Sequence, residues 1–405
     1  MTTRRQFLGR SVAGLSFVSL AGAAPGLLAR AAEDAVKADR NDHVLIVVEL
    51  TGGNDGLNTV IPFEDALYYK NRRTLGIPKN EVVRLSDSLG LHPKLAPMAE
   101  LFKEGKLAVV QGVGYPKPDR SHFRSMEIWH TASVAAAQPT TGWLGRSLDS
   151  MPRAKDATLR GLSLTEGLPQ ALQAEASFVP VVAQLEALTA AANDPKAKLR
   201  RELSTQPGAT KGPVGHLRRQ AETLYLAADR LKAANDQPGP SLEYPESDLG
   251  AQLQKAARIV AANLGVRVLY ASQDGYDTHA SQAETHGQLL EELAGAMATF
   301  EKDLSTRKLA DKVVVMIFSE FGRRVDENAS QGTDHGAASC LMLAGSPIQG
   351  GILGKHPSLA TLGEGDLIHH TDFRSVYASL LDGWLGCLSK EILGAEFAKL
   401  AVLKG

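Results

Sequence analysis

Three short polar signatures follow one another late in the chain: Tyr276-Asp277-Thr278-His279, Ser319-Glu320-Phe321-Gly322-Arg323-Arg324 and Gly332-Thr333-Asp334-His335-Gly336. Carboxylates and imidazoles are the groups that a hard or borderline divalent metal takes as ligands. Asp277 and His279 are two residues apart. On an extended segment they point to one side and can grip one ion, whereas a plainer reading is a polar loop capping the next helix. Glu320 ends an apolar run. A carboxylate buried there costs desolvation unless a cation compensates, either a metal or a salt bridge to Arg323 or Arg324. Those arginines could instead offer a planar fork to a phosphate or sulfate oxygen. Asp334 and His335 sit in a glycine-flanked loop that suits either ligation or a simple turn.

Two earlier segments join this set. Thr51-Gly52-Gly53-Asn54-Asp55-Gly56 leaves an apolar run, so Asn54 or Asp55 could face a ligand, although Asn-Gly and Asp-Gly pairs mark turns generally. No Gly-Lys-Ser/Thr follows, so it is not a phosphate-cradling loop. In Arg120-Ser121-His122-Phe123 a serine stands beside a histidine. The Gly-x-Ser-x-Gly elbow is absent, which argues against a serine-triad hydrolase and leaves a metal-activated Ser121 or a structural one. His356, His369 and His370 read as solvated loop residues, and Trp129 and Trp143 as packing residues.

The elements that must position these groups are legible as periodicity. Val44 to Leu50, Leu107 to Val110, Val266 to Tyr270, Val313 to Phe318 and Leu341 to Leu343 are continuous apolar runs, the pattern of strands buried on both faces. Helical spacing marks Lys94 to Lys103, Gln288 to Leu304 and Phe373 to Leu385, the last with Asp372 as N-cap and Gly386 as stop. Strands alternating with helices predict a doubly wound, mostly parallel α/β sheet. In such sheets ligands bind beyond the carboxyl ends of the strands, where the signatures fall. From about Val179 to Pro240 the chain is rich in Ala, Leu, Lys and Gln, with two helical segments split around Gln206 to Gly215. It reads as a helical insertion in an α/β domain spanning residues 41–405.

Composition narrows the class. Hydrophobic residues make up 43% and the formal net charge is −1, an ordinary globular balance with no electrostatic footprint for nucleic acid or an anionic membrane. Thr3-Arg4-Arg5-Gln6-Phe7-Leu8, the apolar stretch Val12 to Ala24 and Ala29-Arg30-Ala31 read as a twin-arginine signal over residues 1–31 with a cleavage site. That stretch is short and glycine-rich for a spanning helix, which needs about 20 apolar residues, so no stable membrane anchor is expected. Export to the periplasm or beyond, through the twin-arginine machinery, follows. Cys340 and Cys387 could pair there or remain free.

Taken together, Glu49 to Asn58, Ser121-His122-Phe123, Gly142-Trp143-Leu144-Gly145-Arg146, Asp277-Thr278-His279, Ser319 to Arg323 and Gly332 to Gly336 resemble the bacterial family called domain of unknown function 1501. That family is similar in turn to the alkaline phosphatase and sulfatase superfamily. The resemblance implies an alkaline phosphatase-like sheet with one or two divalent ions (Zn, Mn, Ca or Mg) at its carboxyl edge. It implies Asp55 or Asn54, Asp277, His279, Glu320, Asp334 and His335 as ligands, Ser121 as nucleophile, and His122 with Arg323 or Arg120 assisting. Two departures stand out. Phe321 occupies the place of a histidine after the acidic ligand, and no Cys-x-Pro-x-Arg signature surrounds Ser121. The expected function is an exported metal-dependent hydrolase of phosphate or sulfate esters, acting on a small-molecule or glycan ester. The alternative is a non-catalytic periplasmic binding or assembly protein on a degenerate scaffold.

Overall fold

Central strands whose residues are apolar at nearly every position can be covered on both faces, and the sheet is built on that property. The structure, a computed structural model, describes residues 42–135, 139–152, 159–190, 194–205, 212–236, 239–240 and 242–405. The signal expected over residues 1–31 lies outside them. Eight strands form the main sheet: β1 (Val44–Leu50), β2 (Leu107–Gly114), β3 (Gly161–Ser163), β4 (Val268–Gln273), β5 (Val313–Phe318), β6 (Ser339–Ala344), β7 (Gly351–Leu353) and β8 (Thr371–Asp372). Their order is β7-β2-β6-β5-β1-β4-β3, with β8 beside β2.

β1 lies between β4 and β5, parallel to both. Its side chains alternate: Ile46, Val48 and Leu50 enter one hydrophobic cluster while Leu45 and Val47 enter the other. Ala96–Lys103, Asp248–Ala261 and Gln282–Thr306 cover the first face through Met98, Leu253, Leu293 and Phe300. His122–Thr131, Trp143–Ser150 and Phe373–Leu380 cover the second, where Trp129 stacks between Phe318 and Phe373 and Trp143 stacks on Tyr377. Each large apolar side chain buried this way contributes roughly 1.5–3 kcal/mol before entropy is counted. The doubly wound, mostly parallel α/β fold expected from the apolar runs is the observed one.

β6 departs from the parallel pattern. It runs antiparallel to both β5 and β2. The reason is local: the segment after β5 turns back through the loop carrying Asp334 and His335, and no crossover helix intervenes, which only an antiparallel neighbour allows. The beginning of β6 therefore meets the carboxyl ends of β1, β4 and β5 at one edge. The strand expected over Val266 to Tyr270 runs later, at Val268–Gln273, and the helix expected from Gln288 begins at Gln282.

Across the expected insertion, from about Val179 to Pro240, the described residues form three helices where two were expected: Val182–Ala190, Pro195–Thr205 and Gly212–Asn235. The extra break falls at Asp194-Pro195. Proline suits a first helical position, and the Asp194 carboxylate accepts the Lys196 N–H at 3.0 Å. Val182, Leu185, Ala227, Ala228 and Leu231 pack on the first face of the sheet. Cys340 and Cys387 are free thiols. Among the described residues no helix is long and apolar enough to cross a membrane.

Candidate metal centre

At the shared strand edge three imidazoles turn toward one carboxylate. Asp277 leaves the loop after β4, His122 opens the helix that follows β2, and His279 and His335 come from the loops after β4 and before β6. The Nε2 atoms of His279 and His335 both lie 3.0 Å from Asp277 Oδ1 and 3.0 Å from each other. His122 Nε2 lies 3.4 Å from Asp277 Oδ2. One ligand atom each from His122, Asp277 and His335 falls within 4.8 Å of the other two.

The opposite ring nitrogens are all held. His122 Nδ1 meets Glu320 Oε1 at 2.9 Å, His335 Nδ1 meets the Arg120 carbonyl at 2.9 Å, and His279 Nδ1 meets Asp334 Oδ1 at 3.3 Å. An acceptor on Nδ1 keeps the proton there and leaves the Nε2 lone pair for a Lewis acid, the arrangement that orients ligating histidines in metal sites. The contact with Glu320 also raises the pKa of His122, against the opposing effect of burial.

Whether these residues fit a cation is testable on the donors themselves. Ligand atoms bound ~2.0–2.1 Å from one ion stand roughly 3 Å apart, as the Asp277, His279 and His335 atoms do. His122 Nε2 is buried yet has no hydrogen-bond partner among the described residues, and a buried unpaired nitrogen is costly unless something binds it. Burial opposes ionisation of Asp277, but hydrogen bonds from Arg323 and His335 outweigh it and hold the carboxyl down at about 2. The set of imidazole nitrogen and carboxylate oxygen suits a borderline divalent ion.

The structure sorts the residues expected from sequence into different places. Asp277, His279 and His335 come together as the signatures suggested, and His122, expected to assist catalysis, joins them. Glu320 and Asp334, expected as ligands, stand one step back and hold His122 and His279. Glu320 is 1% exposed and also accepts the Gly52 N–H at 2.9 Å and the Ser319 hydroxyl at 3.0 Å. It pairs with neither Arg323 nor Arg324.

Asp55 and Asn54 are not brought to the cluster. Asp55 is the N-cap of the short helix Gly56–Thr59 and is buried against Arg72, at 2.5 and 3.1 Å, with the Gln282 amide donating at 2.5 Å. Burial opposes its ionisation, but the Arg72 guanidinium outweighs it and lowers its pKa. Asn54 accepts from His286 Nε2 at 2.9 Å and donates to Thr59 at 3.0 Å. Arg323 is likewise not available to a substrate anion. Its buried guanidinium donates to the carbonyls of Gly53, Thr333, Gly52 and Tyr276 and to Asp277 Oδ1 at 2.6 Å. It ties three loops together beneath the centre and fixes Asp277.

Ser121 is exposed and stands at the N-cap of His122–Thr131, where its side chain makes no capping hydrogen bond. It lies between Arg120, whose carbonyl holds His335, and His122. Arg120 is 35% exposed at its side chain and forks onto Asp366 at 2.5 and 2.7 Å.

Three participants carried no readable signal. Arg72 directly follows the short helix Ala66–Asn71, 17 residues from Asp55, whereas Gln282 and His286 lie on the helix Gln282–Thr306, 227 and 232 residues from Asp55 and Asn54; no motif surrounds any of the three. Gln282 and His286 do share the helix that directly follows Asp277-Thr278-His279, so a buried polar stripe on its first turns was the available hint.

Several solved structures are distantly similar to the chain. They include Ps i-CgsB in complex with k-i-k-neocarrahexaose, at 10% identity and TM-score 0.37, covering 88% of this chain and 73% of that one. The PsFucS1 sulfatase from Pseudoalteromonas sp. stands at 10% and 0.37, covering 91% and 71%. The phosphonate monoester hydrolase SpPMH from Silicibacter pomeroyi stands at 10% and 0.32, covering 88% and 78%. At such scores the likeness carries no conclusion about chemistry. No curated protein matches. The model of the family described as "Protein of unknown function (DUF1501)" matches residues 81–382, a span that contains His122, Asp277, His279, Glu320 and His335. The chain belongs to that family.

Proposed function

We propose that this protein is an exported metal-dependent hydrolase of phosphate or sulfate esters, with one ion rather than two. The observation that carries the reading is the convergence of three Nε2 atoms on Asp277, each imidazole held from behind through Nδ1. His122, Asp277, His279 and His335 would hold the ion. When bound, a divalent cation polarises an ester oxygen and acidifies a nearby hydroxyl or water.

The chain's own residues supply the rest. Ser121, next to His122 at the exposed rim, offers a hydroxyl for attack on phosphorus or sulfur, with water as the other nucleophile. Arg120, partly exposed, is the guanidinium placed to meet the anionic group, because Arg323 is spent on backbone carbonyls. The first turn of His122–Thr131 adds backbone N–H groups that favour an anion. Asp55 argues against a second ion, since Arg72 already neutralises it. The same locked pair favours the alternative, a binding or assembly protein whose ion serves structure. Export by the twin-arginine route belongs to this proposal and rests on residues 1–31.

The first test is metal content by mass spectrometry on mature protein purified without chelators, beside His279→Ala and His335→Ala. Near-stoichiometric metal that both substitutions reduce is expected. A folded wild type that neither contains nor takes up metal would sink the reading. Turnover of phosphate and sulfate esters that Ser121→Ala abolishes with metal retained supports the enzyme; metal binding without any turnover supports the alternative.

A further inference from the structure

Beside the metal centre lies a cleft of about 530 Å³ whose lining includes Tyr115, Arg120, Phe321, Asp366, Ile368 and His369. Two residues join it to the centre. Phe321 packs on the rings of both His122 and His335, at 4.9 and 4.8 Å. Arg120 lines the cleft, and its carbonyl holds His335. Whatever fills the cleft therefore sits against the group on which the centre acts.

One residue of the lining, Asp366, carries an unusual polar atom. Asp366 is 2% exposed, and its Oδ2 takes the Arg120 fork. Its Oδ1 is buried without a hydrogen-bond partner among the described residues; the Arg324 Nε stands 3.9 Å away. A buried carboxylate oxygen left unpaired costs free energy, and a hydroxyl or N–H donor from a ligand relieves that cost. Around it the walls are mainly apolar. Ile368 is 40% exposed. The Tyr115 hydroxyl is already engaged by Ser125 at 2.8 Å and by the Asp119 N–H at 3.0 Å, so only its ring is left to line the cleft. An isolated acceptor beside a cationic fork, on apolar walls, matches a ring that carries hydroxyl donors on its edge and C–H groups on its face.

We propose that this cleft binds the alcohol part of the ester, and that this part is a sugar-like polyhydroxy ring whose hydroxyl donates to Asp366 Oδ1. The proposal deepens the hydrolase reading and rests on it for the word ester, but binding of the ring can be measured without turnover.

A panel of methyl hexopyranosides of gluco, galacto, manno and fuco configuration is titrated into the full mature protein by saturation-transfer NMR. At least one should bind the wild type and bind Asp366→Asn at least tenfold more weakly, as loss of a hydrogen bond to a charged group predicts. Should Asp366→Asn not fold, Ile368→Asp, at a half-exposed position, should weaken the same glycoside by removing its apolar wall. No binding by any glycoside, or equal binding by wild type and variant, overturns the proposal. Glycoside binding without turnover of any ester upholds the cleft and overturns the hydrolase. Turnover of 4-nitrophenyl phosphate or sulfate with no glycoside binding does the reverse.

Discussion

Glu320 Oε1 and His122 Nδ1 meet at 2.9 Å across 198 residues of chain, so a carboxylate expected as a ligand instead orients a histidine of the candidate centre. Glu320 is itself held by the Gly52 N–H and the Ser319 hydroxyl, so the imidazole has little freedom to turn.

Glu320→Gln should therefore weaken metal binding without removing a ligand. Outer partners of ligating histidines are typically worth 10–100-fold in metal affinity. Titration of apo protein with Zn and Mn should show a loss in that range for Glu320→Gln and a larger one for His122→Ala. An unchanged affinity in Glu320→Gln would mean that the contact serves folding alone.

The Asp55–Arg72 pair should behave as a structural element. Removing one partner strands the other charge in the interior, at a cost of about 3–5 kcal/mol. Urea unfolding of Arg72→Met should show a loss of that order. Metal content per folded molecule should be unchanged, and a selective loss of metal would restore Asp55 to the ligand set.

Gly52 is required by a close approach. Its φ is +116°, and a Cβ there would lie 2.4 Å from the Asp277 backbone nitrogen. Gly52→Ala should push the Asp277 loop outward, costing roughly 1–3 kcal/mol from the strained backbone. Metal affinity should fall as well, which thermal unfolding with and without added metal measures as a smaller metal-induced rise in Tm.

Glu301 should set a pH dependence remote from the centre. It is 4% exposed, and neither carboxyl oxygen has a hydrogen-bond partner among the described residues. Burial raises its pKa from 4.5 to about 7. The native state thus keeps a proton that the unfolded chain has released, so stability falls as pH rises from about 4.5 to about 7. Glu301→Gln should be nearly neutral at pH 4 and stabilising above pH 7, by on the order of 2–3 kcal/mol. Chemical denaturation at the two pH values tests this, and an equal effect at both would overturn it.

Period and composition along the chain were enough for the central strands, the covering helices and the α/β class. A strand buried on both faces must be apolar at nearly every position, and Val44–Leu50 and Val313–Phe318 carry that requirement openly. Asp277, His279 and His335 were legible for a related reason: polar residues directly beyond such runs have only the sheet edge to occupy. Residue types alone could not say which carboxylate reaches the histidine cluster and which stands behind it, because both places use the same chemistry. Tertiary structure decided that Glu320 and Asp334 stand behind histidines and that Asp55 faces Arg72. It also decided that Arg323 is consumed by carbonyls, and that Arg120 and Asp366 meet at a cleft. Those outcomes depend on distances between segments up to 271 residues apart, such as Arg323 and Gly52, and no local pattern encodes them.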